Sequence, residues 1–264
     1  REARFYTQSP HGWQRSAPAP AFWGELATLD TASLHFVYHR LDGEAVAQVA
    51  ARSETLYRSL HALLGLPTPT ATVPLTVEVL PAVLTSNTGP AAAALRLTSP
   101  HLIFAREDQS WADVLYETLK QAMVRHVLEE AQASAPARPQ WDLMVTALHS
   151  WLLATADAAP GNPPRSRGVA LLADSMPKVR PRLAAFLTCV ACSTAYPGGS
   201  GTSYQLVTQT NLGPWLIDLL VAHYGPEVLP RLLEGFNTYE DWETLAPAVF
   251  GKSAAELEAE WQSL

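Results

Sequence analysis

One predicted helix, which follows Ser110, has apolar side chains around most of its circumference and most constrains the possible folds. These apolar residues are Trp111, Val114, Leu115, Leu119, Ala122, Met123, Val127 and Leu128. A helix covered in this way must be packed on several sides. Ser110-Trp-Ala-Asp113 is typical of a capping box, in which the serine and the acid three residues later satisfy the first backbone N–H groups. The sequence therefore predicts a central helix over residues 110–132.

Before this helix, the sequence predicts a small sheet with one helix. Strand patterns rich in β-branched and aromatic residues occupy residues 33–39, 73–80, 92–98 and 101–105. Apolar residues recur at helical spacing over residues 44–64, and Gly65 and Pro67 then end the helix. Residues 1–32 are predicted to form an irregular arm, held on the body by its aromatic side chains.

After the central helix, the sequence predicts mainly helices. They cover residues 141–156, 169–175, 179–195, 203–224, 226–236, 239–248 and 253–263. The predicted fold class is α+β, with a small mixed sheet and a helix packed on a mainly helical lobe. We divide the chain into an N-terminal arm (1–32), a sheet subdomain (33–108) and a helical subdomain (109–264).

Composition narrows the functional classes. An apolar fraction of 48% with 16% charged residues supplies a buried core and excludes a disordered chain. The net charge is −7, and no basic run alternates with aromatic residues, so nucleic acid is not an expected partner. No segment is long and apolar enough to span a membrane. Because the chain begins with Arg1 rather than Met, we expect a signal or anchor upstream and a location outside the cytoplasm.

Two cysteines form a single Cys-x-x-Cys motif, Cys189 and Cys192, inside a predicted helix. A structural zinc site needs a second pair of ligands, and the sequence has none at matching spacing. Three interpretations stay open: buried structural thiols, a disulfide, or redox or metal chemistry. Gly198-Gly-Ser-Gly201 lacks the Gly-Lys-Ser/Thr ending of a phosphate loop and is predicted to be a flexible loop.

The order of these elements over residues 33–264 resembles the gluzincin metallopeptidases, in their peptidase MA-like branch. The segments that carry the resemblance are residues 44–64 with the strand VPLTVEVL, the helix after Ser110, Pro139-Gln-Trp141, Thr146-Ala-Leu-His-Ser-Trp151, His223-Tyr-Gly-Pro226, Leu229-Pro-Arg-Leu-Leu233, Phe250-Gly-Lys-Ser253 and residues 256–261. In that family, two histidines one helical turn apart bind zinc, and the glutamate after the first acts as general base on zinc-bound water. A glutamate on the next helix completes the site.

This chain lacks the zinc ligands that the resemblance implies. Tyr116-Glu117-Thr-Leu-Lys120 aligns with the zinc motif, so that Glu117 matches the general base and Tyr116 and Lys120 replace the histidines. The ligand on the next helix falls at about Val145 or Thr146, where there is no acid. A phenol with an ordinary pKa of about 10 is a poor zinc donor, and a protonated lysine repels a cation. We therefore expect neither a metal nor a cofactor.

Glu117 and Lys120 have two possible roles. They stand at i, i+3 on one helix, where an ordinary ion pair contributes roughly 0.2–0.5 kcal/mol. Alternatively, Lys120 takes the electrostatic role of the missing zinc and neutralises Glu117 inside an old cleft.

These observations predict a non-catalytic, metallopeptidase-like module whose vestigial cleft binds a peptide or a protein. The residues expected at this groove are Tyr116, Glu117, Lys120, Thr146 and His149. Tyr116 and Lys120 would donate hydrogen bonds to an extended chain. The sequence does not name the partner or the oligomeric state.

Two alternatives stay open. The first is an active metal-dependent hydrolase with a relocated site formed by His126, Glu130 and His149, because His126 and Glu130 have the i, i+4 spacing of a helical chelate. The second is an extracytoplasmic sensor or scaffold domain of a membrane-anchored protein.

Overall fold

The computed structural model describes residues 3–16, 19–69, 72–84, 94–132, 139–156, 183 and 202–263, with the backbone alone for residues 139 and 202–212. The fold class is α+β, as predicted: a two-stranded antiparallel sheet, a four-stranded mixed sheet and several helices. The chain divides into two compact units. The first comprises Arg1–Ala62 and Pro67–Val127, and the second comprises Leu63–Leu66 and Leu128–Leu264.

The described strands all belong to the first unit. They are β1 (Tyr6–Ser9), β2 (Gly12–Arg15), β3 (Leu26–Asp30), β4 (Leu34–His39), β5 (Leu75–Leu80) and β6 (Ala94–Thr98). The first two form an antiparallel hairpin, and the other four form one sheet in the order β3-β4-β5-β6. The pair β3–β4 is antiparallel, whereas β4–β5 and β5–β6 are parallel, so the sheet is mixed as predicted.

The described helices occur in both units. They are α1 (Pro20–Trp23), α2 (Gly43–Leu63), α3 (Trp111–Gln132), α4 (Asp142–Thr155), α5 (Thr202–Tyr224), α6 (Val228–Thr238), α7 (Trp242–Phe250) and α8 (Ala254–Ser263). The bounds of α2–α8 confirm the corresponding predicted helices to within a few residues. None of the described helices has the length and apolar character that crossing a bilayer requires.

Strict alternation of burial gives the four-stranded sheet one core face. Along β4 and β5 every second side chain is buried, and Leu34, Phe36 and Val77 have no exposed surface. Burying such a side chain contributes roughly 1.5–3 kcal/mol relative to leaving it in water. Glu54 of α2 accepts hydrogen bonds from the hydroxyls of Thr31 and Ser33, at 2.6 and 2.9 Å, and so ties this helix to the turn between β3 and β4.

Helix α3 begins as the sequence predicted and is buried around most of its circumference. Ser110 Oγ accepts a hydrogen bond from the backbone N–H of Asp113 at 3.0 Å, and Asp113 Oδ2 accepts one from the N–H of Ser110 at 3.2 Å. This reciprocal pair is a capping box. Val114, Leu119 and Val124, which lie on three different sides of the helix, are 7%, 0% and 0% exposed, and this confirms a helix packed on several sides.

Two predictions of local structure are wrong. The predicted arm, residues 1–32, contains the hairpin β1–β2 and strand β3; the latter is held by its ladder with β4, which short-range propensity does not reveal. Residues 101–105 do not form the predicted strand: Pro100–Leu102 form a 3₁₀ turn, in which the N–H of Leu102 bonds to the carbonyl of Ser99 at 2.9 Å. Phe104 is 75% exposed, so a half-buried strand pattern is not realised there.

Four sequence predictions concern residues outside the described ranges. They are the helices at 169–175 and 179–195 (apart from residue 183), the Cys189–Cys192 motif and the loop at Gly198–Gly201.

The predicted division after residue 108 differs from the observed units, because most of α3 belongs to the first unit and its end to the second.

The second unit is built from helices joined by buried aromatic side chains. Helices α4 and α5 pack along each other, and α7 contacts both α6 and α8. Trp141 stacks on Phe236 with ring centres 5.1 Å apart and donates its indole N–H to the carbonyl of Tyr239 at 3.0 Å. Trp151 donates its N–H to Asp218 at 3.1 Å. These bonds satisfy polar groups that would otherwise be costly to bury.

Candidate functional site

The structure brings Tyr116, Glu117 and Lys120 together near the start of α3. The Lys120 ammonium lies 2.9 Å from each carboxylate oxygen of Glu117. The Lys120 side chain is only 8% exposed, whereas half of the Glu117 side chain faces solvent. The predicted i, i+3 ion pair is therefore present, and its cation is the buried partner.

Tyr116 is covered by the side chain of Arg52 from α2. Tyr116 is 2% exposed, and the guanidinium carbon of Arg52 lies 3.5 Å from the centre of its ring. The Lys120 ammonium lies 5.7 Å from the same centre. A cation at this distance from an aromatic face is attracted by the ring quadrupole, with roughly 0.5–2 kcal/mol of stabilisation. The phenol ring therefore has two cations close to it.

The remaining predicted groove residues lie on α4 in the second unit. Thr146 is exposed, and its hydroxyl donates to the carbonyl of Asp142 at 2.7 Å, within its own helix. His149 is half-buried. Val145, the other position aligned with the missing acidic ligand, is also half-buried and carries no donor group. These positions thus offer no carboxylate for a metal.

The relocated metal site gains no support from the arrangement of the described side chains. The described residues include His126, Glu130 and His149, yet they contain no group of three or more His, Cys, Asp or Glu that could hold a metal ion. Glu130 and its neighbour Glu129 are both exposed.

Sequence reasoning missed two features of the first unit. Arg52 stands far from Tyr116 in the chain, and no motif links the two residues. Asp42, the last residue of the 3₁₀ turn before α2, is fully buried; its Oδ1 accepts a hydrogen bond from Ser99 at 2.8 Å and lies 3.8 Å from Nε2 of His101. Burial raises the pKa of Asp42, against the lowering effects of the Ser99 hydrogen bond and of the charges on His101 and His39. Only the short run of polar residues before α2 could have drawn attention to it.

The Glu117 carboxylate takes part in an ion pair with Lys120. A zinc peptidase needs electron-pair donors that converge on one point with an open position for water. Here the group nearest to the carboxylate is an ammonium, which has three N–H donors and no acceptor.

No protein-family model and no curated protein matches this chain. The resemblance to gluzincin peptidases therefore stays a prediction, which depends on the order of elements and on the residues around Glu117.

Proposed function

We propose that this chain is a non-catalytic relative of the gluzincin metallopeptidases, in which an ion pair stands where the enzymes bind zinc. The observation that carries this proposal is the buried Lys120 ammonium, 2.9 Å from both oxygens of Glu117. A fixed positive charge here opposes a divalent cation by electrostatic repulsion. Moreover, the helix offers a covered phenol and an amine where zinc requires two imidazoles.

Loss of the metal removes the means of activating water. Zinc-bound water has a pKa near ~7, whereas free water has a pKa near ~15.7. Glu117 alone therefore has no acidified water to deprotonate at neutral pH. This reasoning favours a binding or scaffolding role over catalysis.

The predicted peptide groove receives less support than the loss of catalysis. Tyr116 and Lys120, the two expected hydrogen-bond donors, are 2% and 7% exposed, so neither offers free surface to an extended chain. Glu117 and Thr146 are exposed. Peptide binding at these residues, and a sensor or scaffold role outside the cytoplasm, stay predictions.

The proposal is tested by measuring zinc and hydrolysis on the same purified protein. After incubation with zinc and dialysis, we expect elemental analysis to find far less than one zinc per chain. We also expect no cleavage of a peptide library above that of a Glu117→Gln control, with or without a zinc chelator. One zinc per chain, together with cleavage that the chelator and Glu117→Gln both abolish, would overturn the proposal.

A further inference from the structure

The second unit contains an apolar cavity, and none of the α3 residues discussed above is among those that line it. Its volume is about 240 Å³. The side chains that line it come from α5, α7 and α8, with one residue from the segment before α5; they include Leu216, Leu219, Tyr224, Trp242, Leu257 and Trp261.

The side chains that line this cavity are mainly leucine and aromatic residues, and several of them are buried. Leu216, Leu257 and Trp261 are each at most 5% exposed. Trp261 packs edge-on against Trp215, with ring centres 5.0 Å apart. The side-chain atoms that face an apolar cavity have no van der Waals partners on that side. A small apolar molecule in the cavity supplies these contacts.

Two lining residues, Tyr224 and Trp242, carry a polar atom with no hydrogen-bond partner within the described residues, and Trp242 is the more buried of the two. Trp242 lines the cavity and is 2% exposed, and its indole N–H has no hydrogen-bond partner within the described residues. The indole N–H is a donor only, and most buried donors in folded proteins are paired. In the same unit, the N–H groups of Trp141 and Trp151 both have acceptors. A ligand with a carbonyl or ether oxygen would supply the acceptor that Trp242 lacks.

The charges near the cavity select against an anionic ligand. Glu260 contributes to the lining, and its carboxylate forms an ion pair with Lys252. The hydrogen bond from Lys252 to Glu260 is the main cause that raises the pKa of Lys252. Because this ammonium is already paired with Glu260, a ligand carboxylate would have no cation from Lys252, and burying an unpaired carboxylate among apolar side chains is costly.

We propose that this cavity is a binding site for a small, neutral, mainly apolar molecule that carries one hydrogen-bond acceptor for Trp242. A flat aromatic ketone satisfies all three conditions: it fills an apolar volume, it has no charge, and it accepts one hydrogen bond. This site is independent of the role proposed for Glu117 and Lys120.

The test uses the fluorescent ketone 6-propionyl-2-dimethylaminonaphthalene (prodan), whose emission shifts to the blue in an apolar environment. We expect saturable binding of one prodan per chain. Unlabelled 2-acetylnaphthalene should displace it, whereas 2-naphthoate, of similar size but anionic, should compete at least about tenfold more weakly, a ratio equivalent to about 1.4 kcal/mol.

Two variants locate the site. Leu219→Trp places a larger side chain in the cavity and should abolish saturable binding, while the volume-conserving Leu219→Met should retain it. Trp242→Phe keeps an aromatic ring but removes the N–H, and should weaken prodan binding by about tenfold. Trp141→Phe, which deletes an indole N–H outside the cavity lining, is the matched control and should leave binding unchanged.

Circular dichroism of each variant shows whether the fold is intact, so that unfolding is not mistaken for loss of the site. Absence of saturable prodan binding to the unsubstituted protein would overturn the proposal. Equal binding by folded Leu219→Trp, or stronger competition by 2-naphthoate than by the ketone, would also overturn it. If Trp242→Phe binds prodan with unchanged affinity, the ligand does not accept a hydrogen bond from Trp242, and that part of the proposal is overturned.

Discussion

A single carboxyl group in the first unit makes stability depend on pH in an unusual direction. Asp42 has no exposed surface, and its second oxygen has no hydrogen-bond partner within the described residues. Burial raises the pKa of Asp42 above its ordinary value of 3.8. The folded state therefore binds this proton more tightly than the unfolded chain does. Asp42 thus adds stability at pH values below 3.8, and this contribution is lost as pH rises through the raised folded pKa.

We therefore predict that Asp42→Asn raises the free energy of unfolding at neutral pH by roughly 1 kcal/mol, because a buried amide costs less than a buried carboxylate. The amide oxygen can still accept the Ser99 hydrogen bond. Urea unfolding over a pH series measures the effect, and the advantage of the variant should shrink as pH falls toward the ordinary carboxyl range. A variant less stable than the unsubstituted protein at neutral pH would show that the charge of Asp42 is stabilising.

Glu54 serves as a control, because its pKa is shifted in the opposite direction from that of Asp42. Burial acts to raise its pKa, but the hydrogen bonds from Thr31 and Ser33 and the charge of Arg58 together outweigh burial and lower it below 4.5. Glu54 therefore adds stability at pH values above 4.5, and this contribution is lost as pH falls through the lowered pKa of the folded state. Glu54→Gln should therefore destabilise the protein most at neutral pH, whereas Asp42→Asn should stabilise it most there.

The role of Lys120 can be separated into packing and charge. Lys120→Ala removes both the buried aliphatic stem and the ammonium, and we predict that it lowers the free energy of unfolding by roughly 2 kcal/mol. Lys120→Met keeps a stem of similar length and should cost less than half as much. A double-mutant cycle of Lys120→Met with Glu117→Gln, measured by urea unfolding, should give a coupling of roughly 0.5–1 kcal/mol. A coupling energy of zero would show that the contact between Lys120 and Glu117 does not stabilise the folded state.

Among the secondary-structure elements, helix α3 offers a direct test of the capping box. Ser110→Ala removes the hydroxyl that accepts from the N–H of Asp113 at 3.0 Å, and we expect a loss of about 1 kcal/mol. Ser59→Ala, at an exposed position inside α2, is the matched control and should change stability by no more than about 0.5 kcal/mol. Equal effects of the two substitutions in chemical denaturation would contradict the capping role.

The elements also show which structure the sequence can predict. Helices α2 and α3 follow from local signals, since apolar spacing, the capping box and Gly65 all lie within the segments they specify. Strand β3 owes its conformation to β4, a partner outside its own segment. The strand predicted at residues 101–105 is wrong because Pro100 begins a 3₁₀ turn where the apolar pattern indicated a strand.

Some features of the candidate site can likewise be predicted from the sequence, and others cannot. The Glu117–Lys120 pair follows from spacing on one helix, and the sequence predicted it. The position of Arg52 over Tyr116 depends on how α2 and α3 pack, which no spacing encodes. The cavity of the second unit depends on residues spread from Leu183 to the last helix. Only the three-dimensional structure reveals that the N–H of Trp242 has no partner among the described residues.

At the scale of the whole molecule, the ion pair on α3 and the cavity belong to different compact units. Lys120 is part of the first unit, and Leu219 is part of the second. Substitutions without shared partners usually add within roughly 0.3–0.5 kcal/mol. We therefore predict that the double variant Lys120→Met with Leu219→Met changes the free energy of unfolding by the sum of the two single effects.

Ligand binding tests the same independence. Lys120→Met should leave prodan affinity within about twofold of the unsubstituted protein, which corresponds to a coupling below roughly 0.5 kcal/mol. Prodan, in turn, should raise the stability of both proteins by the same amount, since coupling between two sites is reciprocal. A larger change in affinity, or a coupling well above this limit in the double variant, would mean that the two units share one cooperative state and that a ligand in the cavity acts on the residues around Glu117.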